Sequence, residues 1–218
     1  MKNVFFKPYV GEYYHTEGYC GKKLLILGES FRCGEILNDA VDCGKAEGCL
    51  QLERCRNFTK DVLERFLKYK QGMAPYESWM RTFTCFTNVF LGGNDATKDE
   101  VVDFWDCVMF YNYVQTAVER QRLSPEKHDF EISETAFFEV LEEYKPDLIF
   151  VWGARLEGNL PQKNKTLSDF LILNTPGHVL HYYNVAGKKI PAYAIFHPSS
   201  PAFGYKYHQH LQEAFRLA

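Results

Sequence analysis

Four apolar runs of strand length constrain the fold of this chain more than any other feature. They cover residues 22–30, 107–112, 147–153 and 192–198, and each ends on polar or small residues. Runs without regular polar alternation are typical of strands that are buried on both faces of a sheet. Strands that alternate with helices form parallel sheets with right-handed crossovers. The sequence therefore predicts an α/β fold, a three-layer α/β/α sandwich with a central, mainly parallel four-stranded sheet.

The segments between these runs carry helix patterns. Residues 57–72 place apolar side chains on one helical stripe, and residues 97–105 begin with a capping-box spacing. Residues 133–146 form a predicted amphipathic helix with Ser133 as its N-cap. A hairpin with its turn at Gly187 is predicted before the last strand.

Length and charge limit the classes of function. A chain of 218 residues is long enough for one well-buried domain, so we predict a single domain over residues 1–218. A net charge of −3 argues against a protein that coats DNA, but not against an enzyme that binds a few phosphates through backbone N–H groups and hydroxyls. No apolar run reaches the roughly 18–20 residues of a membrane span, and the first residues lack the apolar region of a signal peptide. We therefore expect a cytoplasmic protein.

The seven cysteines do not indicate a disulfide framework, because their number is odd and no secretion signal accompanies them. Cys33, Cys43, Cys49 and Cys55 lie in one short segment, separated by nine, five and five residues. This spacing matches no standard zinc motif. Reduced thiols in a partly buried loop are the preferred interpretation, and a structural metal held by these four cysteines is the weaker alternative.

The carboxyl ends of the four predicted strands indicate where a site would form. In open α/β sheets, ligands bind in the crevice outside these ends. The residues found there are Gly28, Glu29, Ser30, Asn112, Trp152, Gly153 and His197. The sequence thus predicts that residues far apart in the chain contribute to one site.

The same residues carry a resemblance to a known family. "LLILGESFRCG" (24–34) resembles the first motif of the uracil-DNA glycosylase superfamily, and "HPSSP" (197–201) resembles its second. Between them, "CVMFYN" resembles the strand that ends in the base-reading asparagine, and "LIFVWG" resembles the strand that precedes the second motif. The four motifs occur in the family's order over residues 22 to about 210.

The resemblance implies a DNA glycosylase. Such an enzyme binds a flipped-out uracil, or another deaminated or damaged base, and hydrolyses its N-glycosidic bond. The chemistry requires no cofactor. The expected partner is DNA that contains a modified base, and the sequence shows no sign of a membrane or protein partner.

The resemblance also implies roles for individual residues. His197 would donate a hydrogen bond to the departing base, and Asn112 would bind the imide edge of uracil. Gly28 and Phe31 would belong to the base site. The DNA-binding residues would be two phosphate-binding serines and an apolar wedge that fills the gap left by the flipped base, namely Ser199, Ser200, Pro201 and Phe203.

The chain departs from the family in its first motif. Ser30 occupies the position of the Asp or Asn that orients the attacking water, and a hydroxyl cannot act as an ionised carboxylate. Glu29 is the neighbouring carboxylate that could replace it, although strand alternation would point it elsewhere. Phe31 and Arg32 stand where the family has Pro-Tyr, so the wall that excludes thymine is changed.

Two alternatives stay open on sequence grounds. Ser30, the "GGND" segment at 92–95 and His197 also fit an SGNH-type serine esterase, in which a serine nucleophile and a histidine base cooperate. That family has an aspartate three residues before the histidine, and this chain has Ala194 there. The second alternative is a catalytically inactive, nucleic-acid-binding relative of the glycosylases.

Overall fold

The computed structural model describes residues 1–32, 53–93, 96–118, 124–167 and 180–218. A mixed seven-stranded sheet runs through this part of the chain, with strand order β1-β4-β2-β6-β9-β8-β7. The strands are β1 (Tyr9–Val10), β2 (Leu24–Gly28), β4 (Val108–Asn112), β6 (Leu148–Trp152), β7 (Lys165–Leu167), β8 (Leu180–Val185) and β9 (Lys188–Ile195). Two further short strands, β3 (Phe31–Arg32) and β5 (Ala117–Val118), pair in parallel with each other.

The predicted number of strands is wrong, since the described sheet has seven strands rather than four. The four predicted strands are β2, β4, β6 and β9, and they form the parallel centre of the sheet. Strands β1, β7 and β8 extend that centre with antiparallel pairings. Strands of two or three residues, such as β1 and β7, are too short to give a periodic signal in the sequence.

Six α-helices accompany the strands in the described residues. They are α1 (Phe58–Lys70), α2 (Met80–Leu91), α3 (Lys98–Asp106), α4 (Lys127–Tyr144), α5 (Ala154–Asn159) and α6 (His208–Leu217). None of these helices has the length and apolar character needed to cross a membrane.

Alternate side chains of the central strands enter two separate hydrophobic clusters. In β2, Leu24 and Ile26 belong to the first cluster, which also contains residues of α1, α2, α3 and α6. Leu25 and Leu27 belong to the second cluster, together with residues of α4 and α5. All five residues of β2 are buried, which explains its unbroken apolar sequence.

Helix α4 begins earlier than predicted. Ser133 is not its N-cap but lies inside the helix, where its hydroxyl donates to the carbonyl of Asp129 (2.7 Å) and accepts from the backbone N–H of Gln115 (2.9 Å). The first turn is instead held by the Asp129 carboxylate, which accepts from the Glu126 N–H (2.8 Å). A buried serine that bonds to backbone groups resembles a cap in sequence, because both use the same hydroxyl chemistry.

Two local predictions are confirmed. Thr97 and Glu100 form a capping box at the start of α3, with a Thr97 N–H to Glu100 carboxylate distance of 2.8 Å. The hairpin between β8 and β9 turns at Ala186 and Gly187, whose φ angles of 47° and 79° are both in the left-handed region. This geometry is that of a type I′ turn, the turn that matches the twist of paired strands.

One buried hydrogen bond in the first cluster should contribute measurably to stability. The Trp105 indole N–H donates to the Thr87 hydroxyl at 2.9 Å, and both side chains are fully buried. Thr87→Val keeps the shape but leaves that N–H unpaired, so it should lower the free energy of unfolding by about 1–3 kcal/mol in urea titrations. Thr166→Val, on the exposed surface of β7, is the matched control and should change little. Equal stability of the two variants would show that the Trp105–Thr87 bond contributes nothing.

Because His181 is buried, we predict that the free energy of unfolding decreases at acidic pH. His181 is completely buried, and neither ring nitrogen has a hydrogen-bond partner among the described residues. Burial, aided by the Lys165 charge, lowers the pKa of His181 from 6.5 to about 3. As the pH falls, His181 therefore takes up a proton in the unfolded chain before it does so in the folded protein. The contribution of neutral His181 to the free energy of unfolding is present above pH 6.5 and lost between about pH 6.5 and pH 3.

His181→Phe should remove this contribution. Between about pH 6.5 and pH 5, the wild type should lose about 2 kcal/mol more unfolding free energy than the variant, measured by urea unfolding at both pH values. His15→Phe, at an exposed histidine, is the control. Parallel pH profiles for wild type and His181→Phe would contradict the assigned protonation behaviour.

Candidate functional site

A cleft of about 750 Å³ opens at the carboxyl ends of the four parallel strands. Residues that follow each of these strands contribute to its lining, in agreement with the general position of ligand sites in open α/β sheets. The predicted site residues brought together here are Gly28, Glu29, Ser30, Phe31, Asn112, His197, Ser199 and Ser200. Trp152 and Gly153 line the same cleft.

Asn112 is positioned by its close approach to Gly28. The two residues are register partners at the ends of β2 and β4. A methyl group on Gly28 would overlap the Asn112 side-chain oxygen and lie 2.9 Å from the Phe110 ring. The Asn112 backbone carbonyl accepts from the Gln115 side-chain amide (3.1 Å), which holds the turn after β4. Glycine at position 28 thus leaves the space in which the Asn112 amide lies.

His197 has a defined tautomer. The Ser199 backbone N–H donates to His197 Nδ1 at 3.2 Å, and the Ser199 hydroxyl lies 2.7 Å from the same nitrogen. Because Nδ1 accepts a hydrogen bond, the proton of the neutral ring is on Nε2. The imidazole can therefore act as a donor through Nε2. Ser199, predicted to bind phosphate, has its hydroxyl directed at this histidine.

Glu29 forms a two-point ion pair with Arg155 in the cleft. Arg155 Nε donates to one carboxylate oxygen at 2.8 Å, and a guanidinium Nη contacts the other. The other Nη of Arg155 contacts the Ser124 hydroxyl. The Glu29 carboxylate raises the pKa of Arg155 above its ordinary value. The Glu29 side chain is 14% exposed and the Arg155 side chain 54%, so the carboxylate is the more buried partner.

The backbone explains why Glu29 and Arg155 meet. The Val114 N–H donates to the Glu29 carbonyl (2.8 Å), so the chain after β2 stays paired with the chain after β4. On the other side, the Gly153 N–H donates to the Ile195 carbonyl (2.8 Å), and Gly153 has a φ of 105°. This left-handed glycine turns the chain from β6 into α5 and places Arg155 at the cleft.

Aromatic rings form much of the cleft wall. Phe31 packs against Phe58 with ring centroids 4.8 Å apart. Trp152, also in the lining, packs against Phe110 with ring centroids 5.4 Å apart, and its ring lies 6.1 Å from the His197 ring in an edge-to-face arrangement. Flat apolar walls with a few polar groups between them suit a planar heterocycle.

The predicted wedge residues lie outside the cleft lining. Pro201 is exposed, whereas Phe203 is buried and stacks on Tyr207 with centroids 5.1 Å apart. The Phe203 ring is therefore part of the hydrophobic core rather than a side chain at the surface. Nothing in the segment "SPAF" indicates on its own that the Phe203 side chain is buried.

The structure describes only part of the cysteine segment. Cys33, Cys43 and Cys49 lie outside the described residues, and Cys55 is buried. Among the described residues, no group of three or more His, Cys, Asp or Glu side chains could hold a metal ion.

The serine esterase arrangement is not assembled in the described residues. The hydrogen bonds described for His197 Nδ1 go to Ser199, and Ser30 makes none with His197 in this part of the chain. Asn94 of the "GGND" segment, which would supply the oxyanion-hole asparagine of such an esterase, lies outside the described residues.

Sequence reasoning missed several residues of the cleft. Arg155, Phe58 and Trp79 belong to its lining. The Arg155 side chain pairs with Glu29 and also contacts the Ser124 hydroxyl. Arg155 lies two residues after Gly153 of the "WG" pair, and this closeness to a predicted strand end could have indicated that it belongs to the site. Phe58 and Trp79 follow helix patterns and carry no separate signal.

No protein-family model matches this chain, and no curated protein matches it either. The function is therefore inferred from the side chains of the cleft.

The contact between Gly28 and Asn112 gives a stability prediction. Gly28→Ala should force the Asn112 amide and the Phe110 ring apart and lower the free energy of unfolding by about 1–3 kcal/mol. Gly158→Ala is the matched control, because outside its own helix no atom of the described residues lies within 4 Å of the added methyl group, and alanine favours the surrounding helix α5. Urea unfolding measures both variants. A Gly28→Ala variant as stable as Gly158→Ala would contradict the close packing described here.

Proposed function

We propose that this protein is a DNA glycosylase-like enzyme that binds a flipped-out uracil, or another deaminated base, and hydrolyses its N-glycosidic bond. The observation that supports this proposal most directly is that Asn112 and His197, whose neutral ring is protonated on Nε2, line one cleft with aromatic walls. The helices in both hydrophobic clusters support the three-layer arrangement of the resembled family, which we also propose.

The proposed base recognition uses the Asn112 amide. An amide presents one acceptor oxygen and a donor NH₂ group, which complement the N–H and carbonyl of an imide edge. The amide oxygen lies close to the Gly28 backbone at the end of β2, in space that a side chain at position 28 would fill. The rings of Phe31 and Trp152 would enclose the faces of the base.

The proposed leaving-group step uses His197. When the glycosidic bond breaks, both bonding electrons go to the base, which leaves as an anion. The Nε2–H of His197 would stabilise the negative charge that develops on the base oxygen, in the manner of an oxyanion-hole donor. The Ser199 N–H bond to Nδ1 keeps the donor proton on Nε2. Ser199 would therefore orient His197, rather than bind phosphate through its hydroxyl.

The proposed attack step uses Glu29. Ser30 lacks a charge, and Glu29 is the one carboxylate among the described residues that line the cleft. A carboxylate held by Arg155 has a fixed orientation and keeps lone pairs that can accept a hydrogen bond from water. Its charge would also stabilise the cationic sugar in the transition state. Water then adds to C1′ and loses one proton, which the base anion finally takes up.

Single-turnover release of uracil, hypoxanthine and xanthine from a labelled oligonucleotide tests this proposal. His197→Ala should slow release by about 100- to 1,000-fold, because it removes one donor to a developing anion. DNA binding should stay nearly unchanged, since that interaction is made mainly in the transition state. His15→Ala, at an exposed histidine away from the cleft lining, is the control and should release base at the wild-type rate.

Two results would contradict the proposal. If the wild type binds the oligonucleotide but releases none of the three bases, the inactive nucleic-acid-binding relative becomes the better assignment. If Ser30 is labelled stoichiometrically by a fluorophosphonate and its replacement abolishes ester hydrolysis, the protein is a serine esterase instead.

A further inference from the structure

The loop between α1 and α2 places large apolar side chains in solvent beside the cleft. We define the α1–α2 rim as residues 68–81. Within it, Met73 is 67% exposed and Tyr76 is 53% exposed. Ser78 and Trp79 of the same loop line the cleft, and Tyr76 is only two residues before Ser78. An exposed ring therefore lies next to the entrance of the proposed base site.

Hydrogen bonds hold the rim in one conformation. The Met73 N–H donates to the Lys68 carbonyl (2.8 Å) just after α1, where Gly72 adopts a left-handed φ of 78°. The Glu77 carboxylate accepts from the Trp79 indole N–H (3.1 Å) and pairs with Arg65 Nε (2.5 Å). Tyr76 packs on Tyr69 with ring centroids 5.4 Å apart. A partner would thus meet a preorganised ring, at little cost in conformational entropy.

The charge of the rim differs in sign from that of the whole chain. The rim carries three basic side chains, Lys68, Lys70 and Arg81, and one carboxylate, Glu77, which pairs with Arg65. The chain as a whole has a net charge of −3. A local excess of positive charge around the exposed Tyr76 ring is complementary to a polyanion that also presents flat apolar surfaces.

We propose that the α1–α2 rim binds single-stranded DNA beside the cleft, with Tyr76 stacking on the base next to the one that enters it. This inference rests on the proposed function of the cleft. Lys68, Lys70 and Arg81 would contact the backbone phosphates of the same strand. Stacking on an aromatic ring is tolerant of sequence, so the rim supplies affinity without choosing the neighbouring base.

The buried position of Phe203 removes the larger of the two predicted wedge side chains and leaves only Pro201 exposed, which favours a single strand over a duplex. An enzyme that extracts a base from a duplex inserts an apolar side chain into the gap. The Phe203 ring stacks on Tyr207 inside the core and would have to leave it to do so. In a single strand, the neighbouring bases are already available for stacking, and no gap needs to be filled.

Binding measurements test the inference without requiring base release. The probe is a fluorescein-labelled strand of about 12 thymines and cytosines, alone or annealed to its complement, followed by fluorescence anisotropy. Tyr76→Ala should weaken binding of the single strand by about 5- to 150-fold, the loss expected for one stacking ring. Tyr76→Phe should retain binding, because the ring rather than the hydroxyl makes the contact.

The control is Tyr13→Ala. Tyr13 is 42% exposed, and its backbone N–H donates to the carbonyl of Asp106. Asp106 lies just before β4, so Tyr13 is at the amino-terminal end of the parallel strands, whereas the cleft is at their carboxyl ends. Its replacement should leave binding unchanged. Lys70→Met should reduce the slope of log affinity against log salt by about 0.7 for the single strand.

Each outcome separates this inference from the proposed function. If the wild type does not bind the single strand, or if Tyr76→Ala weakens duplex binding as much as single-strand binding, the rim assignment is wrong. A matched RNA strand that binds more tightly than the DNA strand would also overturn it. If Tyr76→Ala loses single-strand binding selectively while the wild type releases no base, the rim assignment stands and the catalytic proposal fails.

Discussion

Burial of the central strands on both faces constrains where polar chemistry can occur in this protein. Every residue of β2, β4 and β6 is buried, and neighbouring side chains enter different hydrophobic clusters. An unpaired polar group in the middle of such a strand would carry a large desolvation cost. The one amide or charged side chain of β2, β4 and β6, that of Asn112, accordingly lies at a strand end, and the parallel register brings the carboxyl ends together. The cleft is a consequence of this arrangement.

Within the cleft, three polar groups are placed by a neighbouring residue. The Asn112 amide occupies the space left by Gly28, His197 accepts from the Ser199 N–H, and the Glu29 carboxylate is held by Arg155. Such support matters because a misplaced catalytic group loses most of its effect. The exposed part of the Arg155 side chain adds positive charge at the cleft, while its pairing keeps Glu29 oriented. Glu29 can thus compensate for Ser30, which has no charge, in the proposed hydrolysis.

The sequence was sufficient for the parallel centre of the fold, the start of α3 and the β8–β9 hairpin, and insufficient for the short strands and for the side-chain pairings of the cleft. Unbroken apolar runs identified β2, β4, β6 and β9, because strands buried on both faces leave a strong compositional signal. Strands β1 and β7 were missed since two or three residues show no period, and Ser133 was misread since its hydroxyl serves the interior of α4. The pairing of Glu29 with Arg155 spans 126 residues and depends on the left-handed turn at Gly153, which no local pattern encodes. The burial of Phe203 likewise depends on α6 and its preceding turn, which place Tyr207 against it.

The central claim is that the cleft receives a flipped-out base. A crystal structure with a single-stranded oligonucleotide that contains 2′-fluoro-2′-deoxyuridine, whose glycosidic bond resists cleavage, tests it most directly. The account predicts the uracil ring inside the cleft, its imide edge on the Asn112 amide and one carbonyl oxygen within hydrogen-bond distance of His197 Nε2. Uracil bound elsewhere on the protein, or in the cleft with its imide edge turned away from Asn112, would contradict the account.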